Sequence, residues 1–329
     1  MKATIIPKLK RGGTIGFFSP SFPITAFQPK RFERAKAFLK SKGFHLIEGN
    51  LTEKNDFYRS GTIQERADEF NELLRNPEID CIISTIGGYN SNSLLPYIDY
   101  EAFSKHPKVI IGYSDMTAIL MAMYAKTGIA TYYGPALVAS FGEMGYFLEK
   151  TFHYFEKIVI EDYNHYKIEN PDFWTDEFIP WEVQTKEKTK FKNQLVTLNK
   201  GIVAGRLIVG NLNTMSGIWG SEYIPEIQNG DILVIEDSLK NASQIERSFS
   251  HLKICGVFDK IGGLVLGKHE QFKDEGTNRK PYEILMEVIG EPTFPILAEY
   301  DCGHTHPKIT LPIGVIAELN AEDQSIAFK

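Results

Sequence analysis

Short apolar runs alternate with amphipathic segments along the first 135 residues, and this alternation limits the possible folds more than any other feature of the chain. Residues 14–18, 80–86 and 109–111 are mainly apolar or β-branched, as expected for strands buried on both faces of a parallel sheet. Residues 31–42 and 62–75 carry apolar side chains at helical spacing. The pattern predicts an α/β fold: an open, mostly parallel, Rossmann-like sheet flanked by helices, with ligand-binding loops at its carboxyl edge.

The chain has 329 residues, a length that favours two α/β domains over a single core. Residues 161–200 interrupt the alternation with many charges and with Trp174 and Trp181. A second alternation follows and ends in a β-rich stretch. We therefore expect an N-terminal domain over residues 1–160, a linker with a long ordered loop over 161–200, and a smaller C-terminal α/β domain over 201–329.

Charge and cysteine content exclude several classes of function. The formal net charge is -6, so the chain lacks the basic surface that attracts nucleic acid or anionic membranes. Cys81, Cys255 and Cys302 are odd in number and widely spaced, which argues against a disulfide framework or a zinc site. No stretch approaches eighteen apolar residues and no signal peptide is evident. We expect a cytoplasmic protein with reduced thiols and no nucleic-acid or membrane partner.

The sequence Gly-Tyr-Ser-Asp at residues 112–115 lies between a predicted buried strand and a predicted helix. A serine on such a turn projects its hydroxyl from the sheet edge, beside the next amide and the helix N-terminus. An oxyanion could be bound there. The other interpretation is that Ser114 is a helix N-cap, where serine is favoured, and Met116 stands where the G-x-S-x-G pattern has its second glycine. The tetrapeptide alone leaves both interpretations open.

Three further segments place polar or flexible residues at predicted strand ends. Gly87 and Gly88 follow a buried strand, where glycines allow a ligand to approach the backbone closely, although paired glycines are also common in ordinary turns. Glu236 and Asp237 end another strand, and alternation allows only one of the two to point inward. The turn-rich segment 301–307 contains two histidines, at 304 and 306, but no third ligand at a diagnostic spacing, so we expect no metal site.

Blocks spread over nearly the whole chain resemble the LD-carboxypeptidase family of serine peptidases, and they occur in the family's order. These blocks are residues 87–99, 112–115, 133–135, 210–212, 235–237, 303–305 and 310–312. In that family the serine of the turn is the nucleophile, the glutamate orients the base, and the histidine is the base. The resemblance implies these roles for Ser114, Glu236 and His304. It also implies an oxyanion hole formed by the amides of Gly88 and Asp115, a homodimer, and no cofactor.

The family has two branches that bear on the substrate. One removes the terminal D-residue from murein tetrapeptides during wall recycling, and the other resembles the microcin C immunity peptidases, which cut the amide joining a peptide or amino acid to a modified nucleotide. The Asn-Ser-Asn sequence at residues 90–92 and the tryptophan-bearing loop look more like the immunity branch, and an aromatic loop suits stacking on a nucleobase. The resemblance implies substrate contacts at Asn90, Trp174, Trp181, Asn213, Lys240 and Glu270.

Two alternatives of other classes stay open. A non-catalytic protein whose two α/β lobes close on a small ligand would explain the glycine-rich edge and the tryptophans, but not the serine, acid and histidine together. An ordinary α/β-hydrolase esterase has the same order of serine, acid and histidine. The missing second glycine after Ser114 and the separate C-terminal domain argue against it.

Overall fold

The computed structural model describes residues 2–328, and Met1 and Lys329 lie outside that range. Within it the chain forms the following strands: β1 (Thr14–Phe18), β2 (His45–Glu48), β3 (Cys81–Ser84), β4 (Val109–Gly112), β5 (Thr131–Tyr133), β6 (Phe173–Trp174), β7 (Phe191–Lys192), β8 (Val196–Asn199), β9 (Ile202–Asn211), β10 (Ile232–Glu236), β11 (Gly263–Gly267), β12 (Ile296–Tyr300), β13 (Leu311–Ile313), β14 (Ile316–Asn320) and β15 (Ser325–Phe328).

The α-helices within residues 2–328 are α1 (Ile24–Phe27), α2 (Pro29–Ser41), α3 (Ile63–Arg75), α4 (Tyr100–Lys105), α5 (Thr117–Thr127), α6 (Gly145–Phe155), α7 (Leu212–Ser216), α8 (Ala242–Ile254) and α9 (Pro281–Ile289). Local capping explains several of their ends. Thr62 and Glu65 form a capping box before α3, which satisfies two free amides at the helix start. Gly128 ends α5 with a φ of 68°, a left-handed conformation that glycine adopts at little cost.

The first sheet has the strand order β13-β5-β4-β3-β1-β2. The pairs among β1 to β5 are parallel, whereas β13 runs antiparallel to β5. Every residue of β3 and β4 is buried, which explains why these strands are continuous apolar runs in the sequence. The predicted open, mostly parallel sheet in the N-terminal half is confirmed.

The second sheet has the order β15-β14-β9-β10-β11-β12-β8. Strands β9 to β12 are parallel neighbours, and antiparallel strands extend the sheet on both sides. This arrangement confirms the predicted second α/β unit with a β-rich end. The carboxyl ends of β10 and β4 carry Glu236 and the turn to Ser114.

Two connections tie the halves of the chain together. Strand β8 lies within residues 161–200, predicted as a linker and loop, and pairs with β12 at the edge of the second sheet. Strand β13 comes from the C-terminal part of the chain but pairs with β5 in the first sheet. Buried apolar residues of both sheets form one contiguous cluster. The predicted domain boundaries stay predictions, and the two sheets share one apolar core.

Candidate active site

Ser114 lies where β4 passes into α5. The chain leaves the buried strand at Gly112, makes a short 3-10 turn over Ser114–Met116, and enters the helix at Thr117. Ser114 has a φ of 61°, a left-handed conformation that costs a non-glycine residue about 1 kcal/mol or more. Its amide donates a hydrogen bond of 3.2 Å to the Tyr133 hydroxyl. The turn therefore holds the serine in a sparsely populated backbone conformation at the sheet edge.

His304 connects Ser114 to Glu236. Its Nε2 lies 3.0 Å from the Ser114 hydroxyl oxygen, and its Nδ1 lies 2.7 Å from Glu236 Oε2. An ionised carboxylate only accepts hydrogen bonds, so Nδ1 carries the proton of this contact and the neutral ring leaves Nε2 as an acceptor. The ring of Tyr113 packs edge-on against the imidazole, with centroids 5.0 Å apart.

Glu236 is fully buried at the end of β10. Its Oε1 accepts hydrogen bonds from the Tyr133 hydroxyl at 2.5 Å and from the Asn211 amide at 3.1 Å. Burial by itself raises the pKa of this carboxyl, but the charge of His304 and the three hydrogen bonds outweigh it and lower the pKa to about 2. Glu236 is therefore ionised at any pH at which the protein would work.

The pKa of His304 is raised. Burial opposes the charged form of the ring, but the neighbouring Glu236 carboxylate and its hydrogen bond outweigh burial, and Glu270 adds to the effect. The loop that carries His304 is fixed by Lys308, whose buried ammonium donates to the carbonyls of Gly303 at 2.5 Å and His304 at 3.1 Å. Burial lowers the pKa of Lys308 to about 7, against the opposing charge of Glu270.

Gly303 has to be a glycine for two reasons. Its φ is 80°, and a Cβ at this position would collide with the Glu236 carboxylate. The glycine thus lets the histidine loop pass directly over the acid.

The glycine turn after β3 lies against the serine turn. A Cβ built on Gly87 would stand 2.9 Å from the Asp115 amide nitrogen and 3.0 Å from the Ser114 hydroxyl oxygen, so the missing side chain leaves that amide open. Gly88 follows with a φ of 146°. The buried Asp115 carboxylate joins the two turns, because it accepts hydrogen bonds from the amides of Asn90 at 3.0 Å and Ser91 at 2.9 Å.

These residues open onto a cavity of about 590 Å³. Four of the six side chains predicted to contact substrate line it, namely Trp181, Asn213, Lys240 and Glu270. Asn90 and Trp174 do not. The side-chain oxygen of Asn90 accepts hydrogen bonds from Ser21 at 3.0 Å and Arg66 at 2.7 Å. Trp174 instead packs beside Phe191, with ring centroids 6.2 Å apart.

Several residues of the site escaped the sequence analysis. Tyr133 and Asn211 lie in the blocks at 133–135 and 210–212, but nothing in the sequence shows that both donate to Glu236. Lys188 lines the cavity from within the charged segment 161–200. Its ammonium lies 3.3 Å from Glu143, and burial lowers its pKa despite that carboxylate. Such contacts depend on tertiary structure and leave no local pattern.

The two histidines of the 301–307 segment have different surroundings, since His304 contacts Ser114 and Glu236 whereas His306 lies near Glu143. Within residues 2–328, no group of three or more His, Cys, Asp or Glu side chains is arranged to hold a metal ion. His306, the second histidine of the segment, is buried with its Nε2 3.8 Å from Glu143.

No helix in the described part of the chain is long and apolar enough to cross a membrane.

The protein has a two-domain α/β fold in which a serine, an imidazole and a buried carboxylate are linked in that order by hydrogen bonds. This arrangement is typical of the sites of serine hydrolases. Comparison with known families agrees with it. The LD-carboxypeptidase N-terminal domain matches residues 15–134, and the LD-carboxypeptidase C-terminal domain matches residues 204–319. The chain belongs to the LD-carboxypeptidase family of serine peptidases.

Sequence identity to known relatives shows which branch of the family this chain resembles more. The microcin C7 self-immunity protein MccF of Escherichia coli is 52% identical over 319 residues, which cover 96% of this chain and 93% of MccF. The murein tetrapeptide carboxypeptidase of Pseudomonas aeruginosa is 24% identical over 284 residues, 84% of this chain and 83% of that protein. The structure of MccF in the wild-type apo state matches with a TM-score of 0.96 at 51% identity, covering 99% of this chain and 98% of that one. The chain is thus closer to MccF than to this murein enzyme.

Proposed function

We propose that the protein is a serine amidase in which Ser114 is the nucleophile, His304 the general base and Glu236 the residue that orients the base. The observation that carries this proposal is the continuous hydrogen-bonded chain of 3.0 Å and 2.7 Å from Ser114 through His304 to Glu236, at the wall of a 590 Å³ cavity. Glu236 fixes the proton on Nδ1, so Nε2 is free to take the hydroxyl proton.

The reaction follows from these positions. The Ser114 oxygen attacks the scissile carbonyl carbon as its proton passes to Nε2 of His304, and the carbonyl oxygen becomes an oxyanion. The amides of Gly88 and Asp115 bind that oxyanion, and losing one such donor costs about 3 kcal/mol. The intermediate collapses as the leaving nitrogen takes the proton from Nε2. Water then attacks the acyl-enzyme ester, again with His304 as base, and releases Ser114.

We infer that the substrate is an aminoacyl- or peptidyl-nucleotide amide. MccF has been solved in complex with aspartyl sulfamoyl adenosine and with glutamyl sulfamoyl guanosine. An active-site variant of MccF replaces a serine, an asparagine and a lysine, the residue types of Ser114, Asn213 and Lys240 at this cavity. Trp181 adds an aromatic face in the cavity wall, which suits a nucleobase.

The test is hydrolysis of aspartyl sulfamoyl adenosine and of a murein tetrapeptide by one preparation. We expect kcat/KM to be roughly a hundredfold higher for the nucleotide amide, because the tetrapeptide has no nucleobase to contact the aromatic wall of the cavity and so loses that binding energy. Equal rates, or a preference for the tetrapeptide, would move the protein to the murein branch. Binding without hydrolysis of either would favour the two-lobe binding protein.

We also propose that the protein acts in the cytoplasm as a homodimer, which the family resemblance supports. Light scattering of the purified chain tests the dimer. A monomer at micromolar concentration would contradict it.

A further inference from the structure

A second cavity of about 500 Å³ lies beside the candidate active site. The two cavities share Asn213 and Lys240 in their walls. The two cavities therefore adjoin at these two residues, and a longer substrate would extend from the first toward the second. The proposed hydrolysis does not explain the other residues that line this second cavity.

Helix α8 forms much of the wall of the second cavity. Gln244, Arg247 and His251 all line the cavity, and their spacing of three and four residues places them on one face of the helix. Ile245 and Phe249 lie on the other side and are fully buried in the core. The polar face is therefore held toward the cavity by the packing of the apolar face.

The charge of this cavity is one-sided. Lys240, Arg247 and His251 line it, and none of its lining residues within the described chain is acidic, although the whole protein has a formal charge of -6. Lys240 is partly neutralised by Asp237, 3.4 Å away. Arg247 has no ion-pair partner among residues 2–328. The ring of Trp219 packs edge-on against His251, with centroids 5.5 Å apart, and restricts the imidazole.

We propose that the second cavity is a subsite for an anionic group, a carboxylate or a phosphate, on the part of the substrate that extends past Asn213 and Lys240. The proposal rests on the proposed function, which places the scissile bond at Ser114. The Arg247 guanidinium is the main ligand, because its planar fork matches both anions. The His251 ring and the Gln244 amide supply further donors. The protein would thus select substrates that are charged at a distance from the bond it cuts.

The kinetic test uses matched pairs of substrates with the same scissile amide. The members of the first pair differ only at the end away from that amide, where one has a carboxylate and the other a carboxamide. The members of the second pair differ at the same end, where one has a phosphate monoester and the other a free alcohol. We expect kcat/KM to favour the anionic member of one pair by about tenfold, as a charge-assisted hydrogen bond would. The pair with the larger preference identifies the source of the anion.

The preference should fall to about one in Arg247→Gln/His251→Gln and persist in Arg11→Gln, which removes an exposed arginine of the first domain. No preference in either pair, or an unchanged preference in the double variant, would overturn the subsite.

A binding experiment separates this proposal from the proposed function. Inorganic phosphate is titrated into the full chain while the ring resonances of His251 are followed by NMR. We expect saturable shifts in the wild-type protein and in Arg11→Gln, with half-saturation at about tenfold higher phosphate in Arg247→Gln. If these shifts occur but no substrate is hydrolysed, the subsite stands and the proposed function falls. Hydrolysis without any effect of Arg247→Gln on phosphate binding would overturn the subsite alone.

Discussion

In the proposed mechanism the chemistry depends on His304, because the ring must be neutral to accept the Ser114 proton and charged to return it. The Glu236 carboxylate raises the pKa of this ring against the effect of burial. A raised pKa keeps the histidine protonated, and inactive as a base, to a higher pH than usual. Activity is therefore gained as the pH rises through that value.

The first prediction concerns this pH dependence. We expect the acidic limb of the kcat/KM profile to lie above the usual histidine range. Glu236→Gln removes the stabilising charge while burial remains, so the limb should move to lower pH by about one unit or more. The rate should also fall by about three to four orders of magnitude, since the amide leaves the ring poorly oriented. Glu246→Gln, at an exposed site on α8, is the control. A limb that stays in place in Glu236→Gln would contradict the assignment.

The second prediction concerns Tyr133, which donates to Glu236 and accepts from the Ser114 amide. Tyr133→Phe leaves that amide without its acceptor, so we expect a loss of about 1–3 kcal/mol in the free energy of unfolding. The serine turn should also loosen, with a fall in kcat of roughly tenfold to a hundredfold. Denaturant titration and steady-state kinetics measure both, with the exposed Tyr97→Phe as control. A normal kcat in Tyr133→Phe would show that the hydroxyl does not support the site.

At the residue scale, the resemblance to the family implied Ser114, Glu236 and His304 as a set, whereas the residues alone left Ser114 open as a helix N-cap and did not decide between Glu236 and Asp237. Geometry brings the three together, but their catalytic roles stay proposals until tested. Tyr133 and Asn211 could not be predicted in the same way. Their contacts to Glu236 join three different strands, and only the packed sheets bring those strands together.

At the element scale, the segment that carries Trp181 is fastened to the first domain by a buried ion network. Glu143 is fully buried and binds Arg31 at 3.0 Å and Lys188 at 3.3 Å. Gln184 donates to the same carboxylate and accepts from Arg31 at 2.7 Å. The Arg31 guanidinium lies 4.4 Å from the centre of the Trp181 ring. This network fixes the cavity wall that the aromatic ring provides.

The third prediction tests that anchor. Glu143→Ala leaves Arg31 and Lys188 buried without their carboxylate, so we expect a loss of about 3–5 kcal/mol in the free energy of unfolding. Residues 181–188 should exchange their amide hydrogens faster, because the segment loses the ion pair and the hydrogen bond that hold it against the first domain. Glu149→Ala removes an exposed ion pair with Lys42 and should change stability by less than about 1 kcal/mol. Unchanged exchange in Glu143→Ala would show that other contacts hold the segment.

The elements themselves were predicted unevenly from sequence. Strands β3, β4 and β10 were evident because burial on both faces makes them continuous apolar runs. Strand β8 was hidden in a charged segment, since its side chains are only half-buried at a sheet edge. A strand of this kind is defined by its partner β12 rather than by its own pattern.

At the scale of the whole molecule, the candidate site takes its residues from both halves of the chain. Ser114 follows a strand of the first sheet, whereas Glu236 ends a strand of the second. Strand β13 follows the His304 loop and then joins the first sheet beside β5. The contact between the two halves is therefore needed both for the pairing of β13 with β5 and for the candidate site.

The fourth prediction follows from that crossing strand. A fragment of residues 1–160 lacks β13, so β5 becomes an unpaired sheet edge and the shared core is exposed. We expect the fragment to aggregate or unfold, because open edges and apolar patches associate. Light scattering and circular dichroism test this against the full chain. A monodisperse, cooperatively folded fragment would show that the first domain is independent.

The central claim is that Ser114, activated by His304, forms the covalent intermediate. The most direct measurement is the turnover of an aminoacyl sulfamoyl adenosine by the wild-type protein and by Ser114→Ala, together with labelling by a fluorophosphonate. We predict that Ser114→Ala folds normally, loses both turnover and labelling, and retains binding of the substrate. Turnover in Ser114→Ala above roughly a tenth of the wild-type value, or attachment of the label to another residue, would contradict the assignment of Ser114 as the nucleophile.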